Sequence, residues 1–291
     1  MTVDALDRIT GRLGFLGPLG QLVHEWLARL VADGGQPVER AKDLLNGTWL
    51  GHPLHPPLTD VPIGAWMGAS LLDLADAGSG GQFGRAADVL IAVGCAGGVA
   101  AAATGLADWQ DQVGKERDLG TAHALLNTTA LGLCSTSLAL RLRGARGPAI
   151  GFSLLGLGAA MTGAYLGGDL VFRLGVQVNR NAFSEGPSKW REVAEESEVV
   201  EGSFIRKQAG SNRVLLTRME GEICAASAIC SHSGGPLDEL PLEDGQLHCP
   251  WHGSRFELGS GKVTHGPATV AIPVFETRVR AGKVEIRRPG R

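Results

Sequence analysis

The chain has 291 residues, 44% of them hydrophobic, and its Lys+Arg 27 against Asp+Glu 30 leave a net charge of −3. That balance excludes nucleic acid as the main partner, since phosphate binding needs a concentrated basic face, and the apolar content excludes a disordered chain. Five cysteines, an odd number over this length, do not make a disulfide scaffold.

Mean hydropathy is +0.06, high for a soluble protein and low for one that is all membrane. The length allows about two domains, so the value reads as an average over two unlike halves. Residues 1 to 14 carry Asp4, Asp7, Arg8 and Arg12 and lack the apolar run of a cleavable signal peptide. From Leu13 to Val31 an interrupted apolar pattern, broken by Gly17-Pro18, predicts one or two short amphipathic helices. They lie on a membrane surface or pack against the helices that follow.

Three segments then run without a charge: Val89 to Ala107 (19 residues), Leu119 to Leu140 (22) and Gly147 to Gly168 (22). Each is long enough to cross about 30 Å of hydrocarbon as a helix, and none shows the amphipathic period of a soluble bundle. Leu58 to Ala77, with Asp60, Asp73 and Asp76 at its edges, is weaker alone but reads as the first of four spans beside the other three. Gly64/Gly68, Gly94/Gly98 and Gly163/Gly167, spaced by four, suit close helix packing in lipid. Four spans put both termini on one side. Arg40, Lys42, Lys115, Arg117, Arg173, Arg180 and Lys189 lie there, against Arg85, Arg141, Arg143 and Arg146 opposite. The positive-inside rule places the seven, and both termini, in the cytoplasm.

Asn179 to Ser188 is polar and holds Gly186-Pro187, as a linker does. Beyond Trp190 the chain reads as short strands, with hairpins predicted at Arg213–Arg218/Glu222–Ala226 and Val274–Val279/Val284–Arg287. The expected organisation is a surface segment at 1–45, a four-helix transmembrane domain at 46–178, a linker at 179–189 and a β domain at 190–291. The fold class is a multi-domain membrane protein, an all-α four-helix bundle followed by an all-β domain.

The β half carries Cys230-Ser231-His232 and, farther on, Cys249-Pro250-Trp251-His252. Thiolate and imidazole are the ligands a transition metal needs, and two pairs make a four-ligand set. The C-x-H spacing is wrong for the common zinc finger. Two Cys and two His split between two loops suit a Rieske [2Fe–2S] centre, where one iron takes the two Cys and the other the two His.

The stretches Cys230-Ser231-His232-Ser233-Gly234-Gly235-Pro236-Leu237 and Cys249-Pro250-Trp251-His252-Gly253-Ser254-Arg255-Phe256 resemble the Rieske family. The resemblance covers about 190 to 288. It implies Cys230 and Cys249 on one iron and His232 and His252 on the other. The high-potential branch of that family has an extra Cys in each loop, joined as a disulfide, where this sequence has Gly235 and Trp251. It also has a Tyr bonded to a ligand sulfur where this sequence has Phe256, although Ser254 remains as a donor. Fewer hydrogen bonds to sulfur imply a potential nearer −150 mV than +300 mV. Ring-hydroxylating oxygenases resemble this domain too, but a catalytic domain with a 2-His-1-carboxylate iron site follows it in them. Only 39 residues follow His252, with His265 their sole His, so the sequence is not expected to be such a catalytic subunit.

His52-Pro53-Leu54-His55-Pro56-Pro57 precedes the first span. Residues 45 to 180 resemble a bacterial family of four-helix membrane domains with an HPxHP-like motif, a resemblance that brings no activity with it. Topology places His52, His55 and His123 at one face of the membrane. With Asp60 they form a haem b ligand pair, a quinone pocket, or a purely structural turn. Cys95, Cys134 and Cys224 read as small packing residues. The function expected is one-electron transfer in a bacterial inner membrane between a redox-protein donor and acceptor, with lipid around the spans. The alternatives are a quinol-oxidising or haem-containing subunit and a redox-sensing or assembly protein.

Overall fold

The computed structural model describes residues 14–79 and 81–290; the charges noted at Asp4, Asp7, Arg8 and Arg12 lie outside them. Among the described residues five α-helices precede nine strands: α1 (Leu16–Asn46), α2 (His55–Ser79), α3 (Gly84–Trp109), α4 (Gly114–Leu142) and α5 (Arg146–Phe172), then β1 (Arg191–Glu195) through β9 (Lys283–Arg287). The chain divides into two compact units. One is residues 1–39 with 54–176, the other residues 40–53 with 177–291.

In the helical unit, α2 to α5 fall where the four spans were expected, but only α3 and α5 are long and apolar enough to cross a membrane. The shortfall of α4 corrects the reading of Leu119 to Leu140. That stretch has no charge, yet Thr121, His123, Asn127, Thr128, Thr129, Ser135, Thr136 and Ser137 make it polar. Absence of charge is a weaker condition than apolarity.

Beside Trp66 and Ile91, much of the helical interior is made of small residues. Ala69, Ala87, Ala130, Ala149, Ala160, Ser137 and Ser153 are buried, while Leu71, Leu74, Val89, Val99, Leu154, Leu155 and Tyr165 face outward. Small residues between helices let their backbones approach closely.

The hairpin α2–α3 is repeated by the hairpin α4–α5. His55, Trp66, Ala69 and Asp73 of α2 correspond to His123, Cys134, Ser137 and Arg141 of α4. Ala87, Gly94, Ala101 and Gly105 of α3 correspond to Ala149, Gly156, Gly163 and Gly167 of α5. The contacts repeat as well. A Cβ at Gly94 would lie 2.3 Å from the Trp66 indole, and one at Gly156 would lie 2.6 Å from Cys134 Sγ. Asp73 and Arg141, counterparts of opposite charge, are ion-paired to each other with side chains 2% and 1% exposed. Arg141 also reaches Asp88 at 2.8 Å, and Arg146 reaches Asp73 at 2.7 Å and Asp88 at 2.9 Å. Two of the four arginines counted as loop charges are therefore held within the helical unit.

The amphipathic stretch near the N-terminus lies in α1, which is two helices meeting at a kink at Gly35, whose φ of 56° is non-helical, with Pro37 just beyond. The helical run extends past Val31 to Asn46. Its first part buries Leu16 with Leu119, Ala122, Leu166 and Leu170, and leaves Leu22, Trp26 and Leu30 exposed on one stripe. Its last residues belong to the second unit.

With β2 at Ile205–Ala209, β3 at Asn212–Met219, β4 at Glu222–Ser227 and β8 at Val274–Arg280, the β domain has a six-stranded antiparallel sheet of order β1-β9-β8-β4-β3-β2. Strands β5 (Gln246–His248), β6 (Arg255–Glu257) and β7 (Val263–His265) form a three-stranded sheet in that order. Both predicted hairpins form: β3 (Asn212–Met219) with β4 (Glu222–Ser227), and β8 (Val274–Arg280) with β9. Their two-residue turns, Glu220-Gly221 and Ala281-Gly282, hold positive φ at both positions, which matches the right-handed twist of the strands they join.

Candidate metal centre

Cys230 and Cys249 begin two loops with the same backbone course. Cys230 N–H donates to Gly235 O (2.8 Å) and Gly234 N–H to Cys230 O (3.1 Å). In the second loop Cys249 N–H donates to Ser254 O (2.8 Å) and Gly253 N–H to Cys249 O (3.1 Å). Gly234 and Gly253 occupy the same place in each loop, with φ of 84° and 78°, a conformation that a side chain disfavours. The second loop lies between β5 (Gln246–His248) and β6 (Arg255–Glu257), and the first follows β4.

This course aims backbone donors at sulfur. The N–H groups of His232 and Ser233 meet the Cys230 thiol, and those of Trp251 and His252 meet the Cys249 thiol. As bare side chains the two cysteines share a proton. The bond to Cys249, followed by burial, raises the Cys230 thiol far above the usual range. Accepting that bond lowers Cys249 to about 7. The His232 and His252 rings stand 5.1 Å apart, centroid to centroid, at 87°. Burial, then His252, Lys42 and Arg180, lower His232 to about 3, which keeps its imidazole neutral and its lone pair available to a metal. The cysteines are buried among Leu237, Leu247, Phe256 and Leu258, while both imidazoles are partly exposed at the loop tips.

The residues fit a [2Fe–2S] cluster. The two thiols are hydrogen-bonded to each other, the two imidazole rings form a second pair, and a Cβ at Gly235 would lie 2.7 Å from Cys249 Sγ and 3.2 Å from the Trp251 ring. Gly235 and Trp251, where the high-potential branch has its disulfide, are thus in contact, and all five cysteines are free. Phe256 is wholly buried. Ser254 Oγ accepts the Ala268 N–H at 3.0 Å.

Several neighbours of the site were not legible in the sequence. Asn181, read as linker, is buried. Its amide donates to Ile229 O (2.8 Å) and its carbonyl oxygen accepts from Ser227 Oγ (2.8 Å), while Arg180 N–H donates to Ser231 O (3.0 Å). Asp43, at the end of α1, accepts from His265 Nδ1 (2.8 Å) and Gly266 N–H (2.7 Å). No local pattern marks these residues, because their partners lie about 50 to more than 200 positions away.

Of the other candidate histidines, His55 and His123 come together, their rings 6.2 Å apart at 81°. His52 belongs to the other unit and is exposed, its Nδ1 2.7 Å from Pro53 O. Cys134 is buried and Cys95 and Cys224 are half-buried.

A small antiparallel β domain with paired Cys/His loops defines an iron–sulfur protein of the Rieske class. The chain contains a Rieske [2Fe-2S] domain, matched over residues 189–276, and a domain of the predicted membrane protein family DUF2231, matched over residues 51–180. The ferredoxin component of the naphthalene 1,2-dioxygenase system of Pseudomonas putida is 29% identical over 98 residues, 34% of this chain and 94% of that protein. Apoptosis-inducing factor 3 of Mus musculus is 33% identical over 86 residues, 30% of this chain but 14% of the longer mouse protein. Among solved structures, a chain of the complex of reduced oxygenase and oxidized ferredoxin in carbazole 1,9a-dioxygenase is 27% identical, with 35% of this chain and 97% of that chain covered and a TM-score of 0.33. The β domain is similar to ferredoxin components of dioxygenase systems, which supports a role in electron transfer.

Proposed function

We propose that this protein is a membrane-anchored one-electron carrier in which Cys230 and Cys249 hold one iron of the [2Fe–2S] cluster and His232 and His252 hold the other. The observation that carries this reading is the pair of loops with one backbone course, which delivers two thiols and two imidazoles to one place. When bound, the cluster accepts and releases a single electron. The protein's part is to stabilise the thiolates with backbone N–H groups, to keep water from the sulfurs with Phe256, Leu237 and Leu247, and to leave the imidazole edges at the surface, where a redox partner docks. Similarity to ferredoxin components supports a donor and an acceptor that are themselves redox proteins.

The Phe256 ring offers no hydroxyl to sulfur, so the potential belongs toward the −150 mV end of the Rieske range. Outward-facing Leu71, Leu74, Val89 and Leu155 support a helical membrane anchor, with α3 and α5 as the helices apolar enough to cross. The excess of Lys and Arg near the ends that share a side with both termini supports a cytoplasmic β domain in a bacterial inner membrane.

EPR of the purified, dithionite-reduced full chain tests the ligand set. Nitrogen hyperfine coupling from two imidazoles is expected, together with complete loss of the signal in Cys230→Ser and Cys249→Ser. A fully occupied cluster without nitrogen coupling overturns the assignment. Film voltammetry on the same protein tests the potential, and a midpoint above about +150 mV overturns the low-potential part.

A further inference from the structure

The second histidine pair lies where the two helical hairpins meet. His55 and His123 are the same position in α2–α3 and α4–α5, and a residue that touches its own counterpart sits on the axis relating the repeats. Each ring is anchored in the same way. His55 Nδ1 lies 2.9 Å from Ala101 O, and His123 Nδ1 lies 2.8 Å from Gly163 O. The two carbonyls are themselves counterparts on α3 and α5. Four residues on in each helix a glycine makes room for the ring. A Cβ at Gly105 would lie 2.7 Å from His55 Cε1, and one at Gly167 would lie 3.0 Å from His123 Cε1.

A carbonyl oxygen only accepts, so Nδ1 of each imidazole carries the proton and Nε2 is the lone-pair nitrogen. Nε2 of each ring is then the nitrogen that a donor or a cation can meet. Asn127 Nδ2 is 3.3 Å from His123 Nε2, but its shorter bond, 2.9 Å, goes to the His123 carbonyl. A backbone carbonyl on Nδ1, which leaves Nε2 as the lone-pair nitrogen, is the arrangement that orients a metal-ligating histidine. With metal–imidazole bonds of about 2.0 Å, two imidazoles on opposite sides of one metal have ring centres roughly 6 Å apart. The observed separation is 6.2 Å.

We propose that His55 and His123 bind one transition-metal centre through their Nε2 atoms, a site separate from the four-ligand set of the β domain. Two imidazoles with no carboxylate bonded to them among the described residues suit copper(I) or the axial positions of a haem iron. Both draw on the same bis-imidazole coordination.

The test uses the full chain purified in detergent from cells supplied with both iron and copper. Elemental analysis and a pyridine haemochromogen assay are run on the same preparation. One centre per chain beyond the two cluster irons is expected, as copper in the first measurement or as haem in the second. It should fall at least tenfold in His55→Ala and in His123→Ala, with no further loss in the double variant, while the EPR signal of the reduced cluster is kept. Should either variant lose its helical circular dichroism, Gly105→Ala and Gly167→Ala, which crowd the rings from the neighbouring helix, replace it with the same expected loss. Absence of any metal beyond the cluster irons overturns the proposal, and so does a centre retained at full occupancy when both histidines are replaced. Neither result depends on how the cluster itself is ligated.

Discussion

Both units bring like residues together by repeating a device, at very different sequence ranges. In the β domain the repeated element is a short loop. Each cysteine thiol is met by the backbone N–H groups two and three residues farther along the chain. In the helical unit the repeated element is a whole hairpin, and its polar groups are met by side chains or carbonyls of another helix, as when Asp73 of α2 meets Arg141 of α4. Local donors make a site that depends on a few contiguous residues. Long-range donors make one that depends on the packing of the entire unit. Chemistry in the first can be altered one residue at a time, whereas in the second each polar side chain is also a structural member.

That contrast is most directly broken at Arg141. Arg141→Met takes one of two cations from buried Asp73, which keeps Arg146 at 2.7 Å, so the loss falls below the ~3–5 kcal/mol of a buried charge left wholly unpaired. Thermal inactivation of the detergent-solubilised protein is expected to fall to clearly lower temperature, and Asp73→Asn in the Met background is expected to recover part of the loss. An unchanged midpoint in Arg141→Met would mean the helical unit does not depend on its long-range pairs.

A gentler change sharpens the other side. Phe256→Tyr adds a side-chain donor to a site served by backbone donors. If its hydroxyl reaches a ligand sulfur, the reduced cluster gains one hydrogen bond of about 1 kcal/mol, a rise in midpoint on the order of 50 mV. Voltammetry of wild type and variant side by side measures it, and a shift downward contradicts the sulfur-donor account of the low potential.

The smallest effect is expected where neither device operates. Lys207 pairs with Glu198 on the surface of the β domain at 2.8 Å, and this bond, with that from the Glu195 N–H, lowers the Glu198 carboxyl. A carboxyl depressed in the folded state stabilises above its unfolded pKa, and the contribution is lost as pH falls through the folded value. Lys207→Met should therefore lower the urea midpoint slightly at pH 7, with the two proteins converging as the pH drops below the usual Glu range. A difference that persists in acid would assign the effect to packing of the lysine stem.

The contrast also accounts for what could be read from the chain. Cys230, His232, Cys249 and His252 were legible because ligand spacing within a loop is a local property, and the β3–β4 and β8–β9 hairpins because turn residues sit between alternating strands. The positions of α2 to α5 were legible from uncharged runs. Their apolarity was overread in α4, where Thr, Ser and Asn carry no charge but are not apolar. The hairpin repeat left one signal, Gly94 and Gly105 spaced like Gly156 and Gly167. It is hard to see in a chain with 43 glycines.

The sequence by itself determined two unlike halves, a glycine-rich helical region and a β domain with a four-ligand metal motif, because composition and short-range spacing survive without a fold. Only the tertiary structure decided that His55 joins His123 and not His52, that Asp73 and Arg141 neutralise each other, and that Asn181 and Asp43 brace the ligand-loop domain. Those pairings join residues from 46 to more than 200 positions apart. Contacts at that range are set by which helix faces and loops pack together, a property of no segment taken alone.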